Sequence, residues 1–241
     1  VKDMVSNETV ILEFDAYAVN EDQFTFHANS GLPVSIRSKN DLTMRQLEEV
    51  KRIVNEADDN PIEHIDFDTF ADYYIVQELC QNGELNGPRS CFMHLLPNGK
   101  LAAGPVWDFD LAFITVGVDK GNDLRPMRKA GMDGVRLLTA DSLYCNNALW
   151  YGWLLQYPTF AAHVKKRWQM LKPRFEKLTA FIDSIDQQIS KHAEPDQKRW
   201  NALEPARFDT CTTYRSAVTT LKTNYVKRLE KLSAMPYFSL E

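Results

Sequence analysis

The chain has 241 residues, 44% of them hydrophobic and 25% charged, with a formal net charge of -5. A chain of that length folds as one large domain or two small ones around a core that needs no disulfide or metal staple, and the ordinary composition excludes a disordered polymer. The acidic balance argues against a nucleic-acid polymer as partner, and no apolar run reaches the roughly 20 residues that span a bilayer.

Residues 1–40 read as a β portion. Thr9 to Phe14 is β-branched and apolar, Gln23 to His27 alternates polar and aromatic, and Pro33 to Arg37 is a third short run, with Gly31 and asparagines between them. Residues 41–241 read as a mainly helical lobe of the same domain. Thr43 and Gln46 have the spacing of a capping box, with Leu47, Val50 and Val54 on one face behind them. Asn60-Pro61 ends that helix. Asp66 or Asp68 caps the next, in which Phe67, Phe70, Ala71, Tyr74, Ile75 and Leu79 recur at helical steps until Asn82-Gly83.

Arg89 to Leu95 and Lys100 to Val106 are strand-like around Pro97-Asn98-Gly99, which predicts a β-hairpin running into Trp107-Asp108-Phe109-Asp110. Thr115 to Ala140 is a long irregular stretch of the functional or mobile kind. Asp141-Ser142 starts a predicted helix carrying Leu143, Leu149, Trp150 and Trp153, and Pro158 lies near the start of another. Val164, Trp168, Leu171, Phe175, Leu178, Ile182, Ile185 and Ile189 predict an extended helix–helix seam with a kink or break at Pro173. Tyr214, Val218, Leu221, Tyr225, Leu229 and Leu232 mark a last amphipathic helix, so the plan is α+β with a dominant helical lobe.

The four cysteines, Cys80, Cys91, Cys145 and Cys211, form no close C-x-x-C pair and read as buried thiols. The tryptophans read mostly as core. His163, Lys165, Lys166, Arg167, Lys172, Arg174 and Lys177 make a basic band, either a solvated helix face or a docking surface for an acidic partner. There is no G-x-G-x-x-G, no Walker A sequence, no strand lysine in a V-A-I-K context and no G-x-S-x-G elbow.

Two groups remain as candidate chemistry. In an extended strand Asp108 and Asp110 would point the same way, and paired carboxylates suit a hard cation shared with a nucleotide phosphate. A D-x-D pair also fits a surface turn or a sugar-nucleotide transferase. Asn82, Glu84 and Asn86 form a polar loop between the buried helix and the hairpin. A helix, polar loop, hairpin and acidic metal ligand follow in the order of a protein-kinase C-lobe, although turn formers in an ordinary loop give the same pattern.

Phe70 to Phe113 resembles the central segment of the CotH (spore coat protein H) kinase family: a Tyr-rich helix, a polar loop, a strand like Ser90-Cys91-Phe92-Met93, a Gly-Lys turn and Gly104-Pro105-Val106-Trp107-Asp108-Phe109-Asp110. Ile11 to Asp15 with Gly31 to Val34, and Trp150 to Trp168, are also similar to the family. The resemblance implies an atypical protein-kinase-like fold that uses ATP with Mg2+ (or Mn2+) to phosphorylate serine hydroxyls of protein substrates. It implies that Asp108 is a metal and nucleotide ligand, that Asp110 is a second ligand or phosphate-side acid, and that Asn82 and Glu84 take the catalytic-loop role. It also implies an exported or bacterial cell-envelope setting, and a family N-terminal section with Arg- and Lys-bearing strands that would precede Val1. The family's polar loop commonly carries an Asp where Glu84 stands, which leaves a catalytically weak or inactive binding or scaffold module as the alternative.

Overall fold

In the computed structural model of the chain the described residues are 10–16, 24–38, 42–86, 88–109, 112–113, 143–145, 149–200 and 211–239. Side-chain alternation decides the sheet: in β1 (Ile11–Phe14), Leu12 and Phe14 share the fully buried face and Ile11 and Glu13 the other. β2 (Thr25–His27) and β3 (Pro33–Ile36) form a hairpin whose turn places Gly31 at φ 87°, a left-handed position that glycine takes without strain. β3 pairs with one edge of β1 and β4 (Cys91–Leu95) with the other, so that Phe14 lies opposite both Val34 and Cys91. β5 (Leu101–Ala103) completes an antiparallel sheet in the order β2-β3-β1-β4-β5.

The predicted turn at Pro97-Asn98-Gly99 joins β4 to β5, closed by the Leu96 N–H donating to the Lys100 carbonyl at 2.9 Å. β5 is shorter than the sequence predicts, ending at Ala103 and not at Val106. Its last ladder bond runs from the Gly104 N–H to the Phe92 carbonyl at 2.9 Å, and Pro105 has no N–H to carry the ladder further.

α1 (Met44–Asp59) opens on the predicted capping box of Thr43 and Gln46 and buries Leu47, Val50 and Val54. After the short α2 (Pro61–His64), α3 (Phe67–Cys80) starts at Asp66, whose side chain accepts the Thr69 N–H at 2.9 Å. Eight of its residues are buried, from Phe70 to Leu79, so it is the central helix of the molecule. It ends where Gln81 turns left-handed at φ 53°.

The sequence places Leu143, Leu149, Trp150 and Trp153 on one helix, and the structure does not. Tyr144 and Cys145 lie in a bend, Leu149 has φ 46°, and among the described residues of this stretch only the turn α4 (Tyr151–Leu154) is helical. The physical reason is that the Tyr144 and Cys145 N–H groups go to the Glu78 carboxylate, at 2.7 and 2.6 Å. Asp141-Ser142, the expected helix start, and Thr115–Ala140 lie outside the described residues.

α5 (Pro158–Phe175) buries Phe160, Val164 and Trp168 against α3 and the C-terminal Phe238, whose ring lies 5.1 Å from Trp168. The expected break comes at Glu176-Lys177, just past Pro173 in the last turn. Beyond it α6 (Leu178–Trp200) buries none of its residues, so the seam closes over α5 and then opens, with Leu178, Phe181, Ile185 and Ile189 exposed. α7 (Tyr214–Ser233) returns beside α6 through a Lys222–Asp183 ion pair and buries Tyr225, Arg228, Leu229 and Leu232 nearer the core. The architecture is α+β: one small antiparallel sheet and a larger helical part.

Three of the five tryptophans depart from the core reading: Trp150 and Trp168 are buried, whereas Trp107, Trp153 and Trp200 are exposed. All four cysteines are free thiols, and Cys80 is the least buried of them. The basic band is partly consumed within the molecule: His163 pairs with Asp68, Arg167 with Asp72 and Lys172 with Glu176.

Candidate functional site

The polar loop is built directly on the end of α3. The Asn82 N–H donates to the Gln77 carbonyl at 3.1 Å, and the Asn82 side-chain oxygen accepts the Glu84 N–H at 3.2 Å. This local side-chain-to-backbone bond turns the chain into a short 3-10 helix, Gly83–Asn86. Asn82 is 1% exposed and Glu84 8%, so both point into the body of the protein. The Asn86 side chain lies outside the described residues. The loop leaves by a bond from the Arg89 N–H to the Glu84 carbonyl at 3.1 Å, and β4 begins at Cys91.

The acidic segment returns to the same end of the sheet. β5 runs antiparallel to β4, so the chain leaving β5 heads toward the end where β4 starts. Gly104 is bonded to Phe92, the Trp107 ring packs edge-on to Phe92 at 5.9 Å, and the Phe113 N–H donates to the Cys80 carbonyl at 2.8 Å. The segment is thus fixed at one end beside β4 and at the other beside the last residue of α3. Those are the two flanks of the polar loop. Asp108 lies between them, exposed, with φ 53°.

The extended-strand premise therefore does not hold at Asp108. The strand has ended five positions earlier, and the left-handed backbone there removes the alternation that would set Asp108 and Asp110 on one side. Asp110 lies outside the described residues. Sequence reasoning also missed Asp15, which follows β1 at this same end: its carboxylate accepts the Ser90 N–H at 3.5 Å, and the next residue's N–H donates to the Pro88 carbonyl at 2.8 Å. Its only sequence signal is an acid directly after a buried β run.

Behind the loop lies a second arrangement the sequence reading did not single out. Glu78 and Arg228 form an ion pair at 2.8 Å with side chains 0% and 1% exposed. Burial pushes the Glu78 carboxyl upward, and the Arg228 charge and the Tyr144 and Cys145 N–H bonds oppose that shift. Burial pushes the Cys80 thiol up to about 12 and raises those of Cys91 and Cys145 well above the usual thiol range, so all three stay protonated at neutral pH and offer no thiolate.

A family model described as CotH kinase protein matches residues 7–232. The chain belongs to the CotH kinase protein family. No curated protein and no solved structure matches the chain. Family membership makes this a kinase-like protein. Within that CotH match fall Asn82, Glu84, Asp108 and Asp110, and with them Asp15, Glu78 and Arg228.

Among the described residues of this CotH-family chain no three His, Cys, Asp or Glu side chains gather as a metal cluster, and no helix is long and apolar enough to cross a membrane. The donor chemistry distinguishes two kinds of magnesium site. A resident all-protein cage needs several converging carboxylates, whereas an ion carried on nucleotide phosphates takes one or two and keeps its waters. One exposed carboxylate, Asp108, on a segment anchored at Phe92 and Cys80, has the donor chemistry of the second kind.

Proposed function

We propose that this chain is the catalytic part of a metal-dependent, ATP-using protein kinase that phosphorylates serine hydroxyls. The observation that carries the reading is the return of the Asp108 segment to the polar loop, pinned by the Gly104–Phe92 and Phe113–Cys80 bonds. Kinase chemistry requires such a juxtaposition, since phosphoryl transfer is mostly positioning and charge neutralisation.

In this reading Asp108, with Asp110, would hold Mg2+ or Mn2+ for a bound ATP. Such an ion, when bound, would supply charge neutralisation for the phosphoryl group. Glu84 accepts the proton of the serine hydroxyl as its oxygen attacks the γ-phosphorus. The bond to the β-phosphate oxygen breaks, leaving ADP and a phosphoserine. Asn82 fixes the backbone at Glu84 through its 3.2 Å bond and so orients the base. The test is transfer of labelled phosphate from ATP to a protein substrate by the full chain, with Asp108→Ala as control. Transfer that disappears in the variant supports the proposal, and undiminished transfer by the variant sinks it.

A second reading is favoured by one observation, the burial of Glu84 at 8% exposure. A base so enclosed is poorly reached by an incoming hydroxyl. A kinase-shaped module of the bacterial cell envelope that binds nucleotide without turnover would tolerate that burial. Calorimetry with Mg2+ and ATP separates the two, because heat of binding without any phosphate transfer selects the module.

A further inference from the structure

An acid on the buried face of one helix and a base on the buried face of another, 150 positions apart, meet immediately behind the polar loop. The Glu78 carboxylate accepts the Tyr144 N–H at 2.7 Å, the Cys145 N–H at 2.6 Å and the Arg228 Nη2 at 2.8 Å. The Glu78 carbonyl accepts the Arg228 Nε at 2.9 Å and the Gln81 N–H at 3.2 Å. The Arg228 guanidinium also lies over the Tyr144 ring at 5.3 Å. Cys145 in turn points its thiol at the Asn82 carbonyl, 3.5 Å away, and Asn82 holds the Glu84 N–H. An unbroken set of contacts therefore runs from α7 through Glu78 to both candidate loop residues.

Cohesion alone does not call for this arrangement. An apolar pair of similar volume would join α3 to α7 as well or better, because desolvating two charges offsets most of their attraction. An apolar pair cannot fix directions, however. The forked guanidinium and the two carboxylate oxygens impose one orientation on the last turn of α3 and on the 143–145 bend together.

We infer that Glu78 and Arg228 are positioning residues for the phosphotransfer loop: Arg228, reaching in from the C-terminal helix, sets Asn82 and Glu84 through the Glu78 turn and the Cys145 contact. The inference rests on the kinase reading of the polar loop, but its geometry can be tested apart from activity.

The experiment uses the full chain with Arg228→Lys, the milder Glu78→Gln as a second variant in case the first fails to fold, and Leu229→Ala as control. Leu229 is 8% exposed on the same helix, so its truncation loosens α7 without touching the pair. Amide hydrogen exchange at Glu84, Tyr144 and Cys145 is measured beside kcat and the KM for ATP. In the pair variants those amides should exchange at least about tenfold faster while the protected amides of α5 hold. The kcat per folded molecule should drop about 10- to 100-fold with KM for ATP within about twofold, the pattern of a misplaced loop. Leu229→Ala should lower the melting temperature and leave both the loop amides and kcat alone. Unchanged exchange at Glu84 in the pair variants overturns the inference, and so does a kcat loss in Leu229→Ala equal to theirs. A wild-type chain that transfers no phosphate defeats the kinase reading, and the exchange result then decides the positioning claim independently.

Discussion

Asn82 and Glu84 lie buried on a loop stitched to the end of α3, whereas Asp108 stands exposed on an arm anchored at Gly104 and Phe113, with Val106 and Trp107 beside it 48% and 60% exposed. The two halves of the candidate site are therefore held by different physics. The loop draws its geometry from a desolvated hydrogen-bond network, in which each bond is strong and each loss is costly. Among its described residues the arm draws its geometry from backbone bonds at Gly104, Ala112 and Phe113 and from a left-handed Asp108, with its charge already in water. A site made this way keeps one half preset and leaves the other open to a charged ligand. Substitutions in the two halves should then differ, those in the loop network costing stability as well as chemistry and those on the arm chemistry alone.

The largest loss is expected from Arg228→Met. It strands the fully buried Glu78 carboxylate, and breaking one side of such a pair costs about 3–5 kcal/mol. Urea unfolding followed by tryptophan fluorescence reads the change. A loss under about 1 kcal/mol, as for a surface pair, would erase the distinction between the halves.

Asp58→Ala comes next and tests whether the contrast belongs to the site or to any buried carboxylate. Asp58 accepts the Trp150 Nε1–H at 2.8 Å and the Ser30 hydroxyl and N–H at 2.8 and 2.6 Å, bonds that involve no residue of the loop. Leaving the buried Trp150 donor unmet and losing the two part-buried Ser30 bonds should cost about 2–3 kcal/mol. Phosphate transfer per folded molecule should not change, and a parallel fall in both would show that activity merely follows stability. Smaller again is Thr43→Ala, which removes the α1 capping box and should cost about 1 kcal/mol by the same unfolding measurement.

That capping box also marks where the sequence is readable. Thr43 with Gln46, the Pro97-Asn98-Gly99 turn and the Asp66 cap are all local, so spacing within a few residues was enough to place them. The joining of the β4–β5 hairpin to the first strands was not readable, because Ile11 opposite His94 is a pairing across most of a hundred residues. Burial of the seam failed for a related reason. Leu178, Ile185 and Ile189 have the right period for a packed helix, but period says only which residues share a face, not whether a neighbour covers it. The Glu78–Arg228 pair left a faint trace. Glu78 falls on the stripe of Ala71, Tyr74 and Ile75, and Arg228 on the stripe of Tyr225, Leu229 and Leu232, so each is a charge at a core register. In the site itself, the G-P-V-W-D-F-D motif singled out Asp108, but the strand geometry assumed for it ends at Ala103, before Pro105.

The smallest stability effect is expected where the chemical effect should be greatest. Asp108→Asn keeps the side-chain shape, and asparagine tolerates the left-handed backbone at φ 53°. The position is exposed, so unfolding free energy should stay within about 0.5 kcal/mol of the parent. What the substitution removes is one negative charge aimed at solvent. If that charge holds a divalent ion on ATP, phosphate transfer should fall at least about 100-fold, the scale seen when a charge-stabilising group is lost from an active site. Raising Mn2+ or Mg2+ should recover part of it, since the weakened step is ion capture and the loop geometry is intact. Full activity in a stable Asp108→Asn protein would move the site off the arm altogether and leave the buried loop as scaffold.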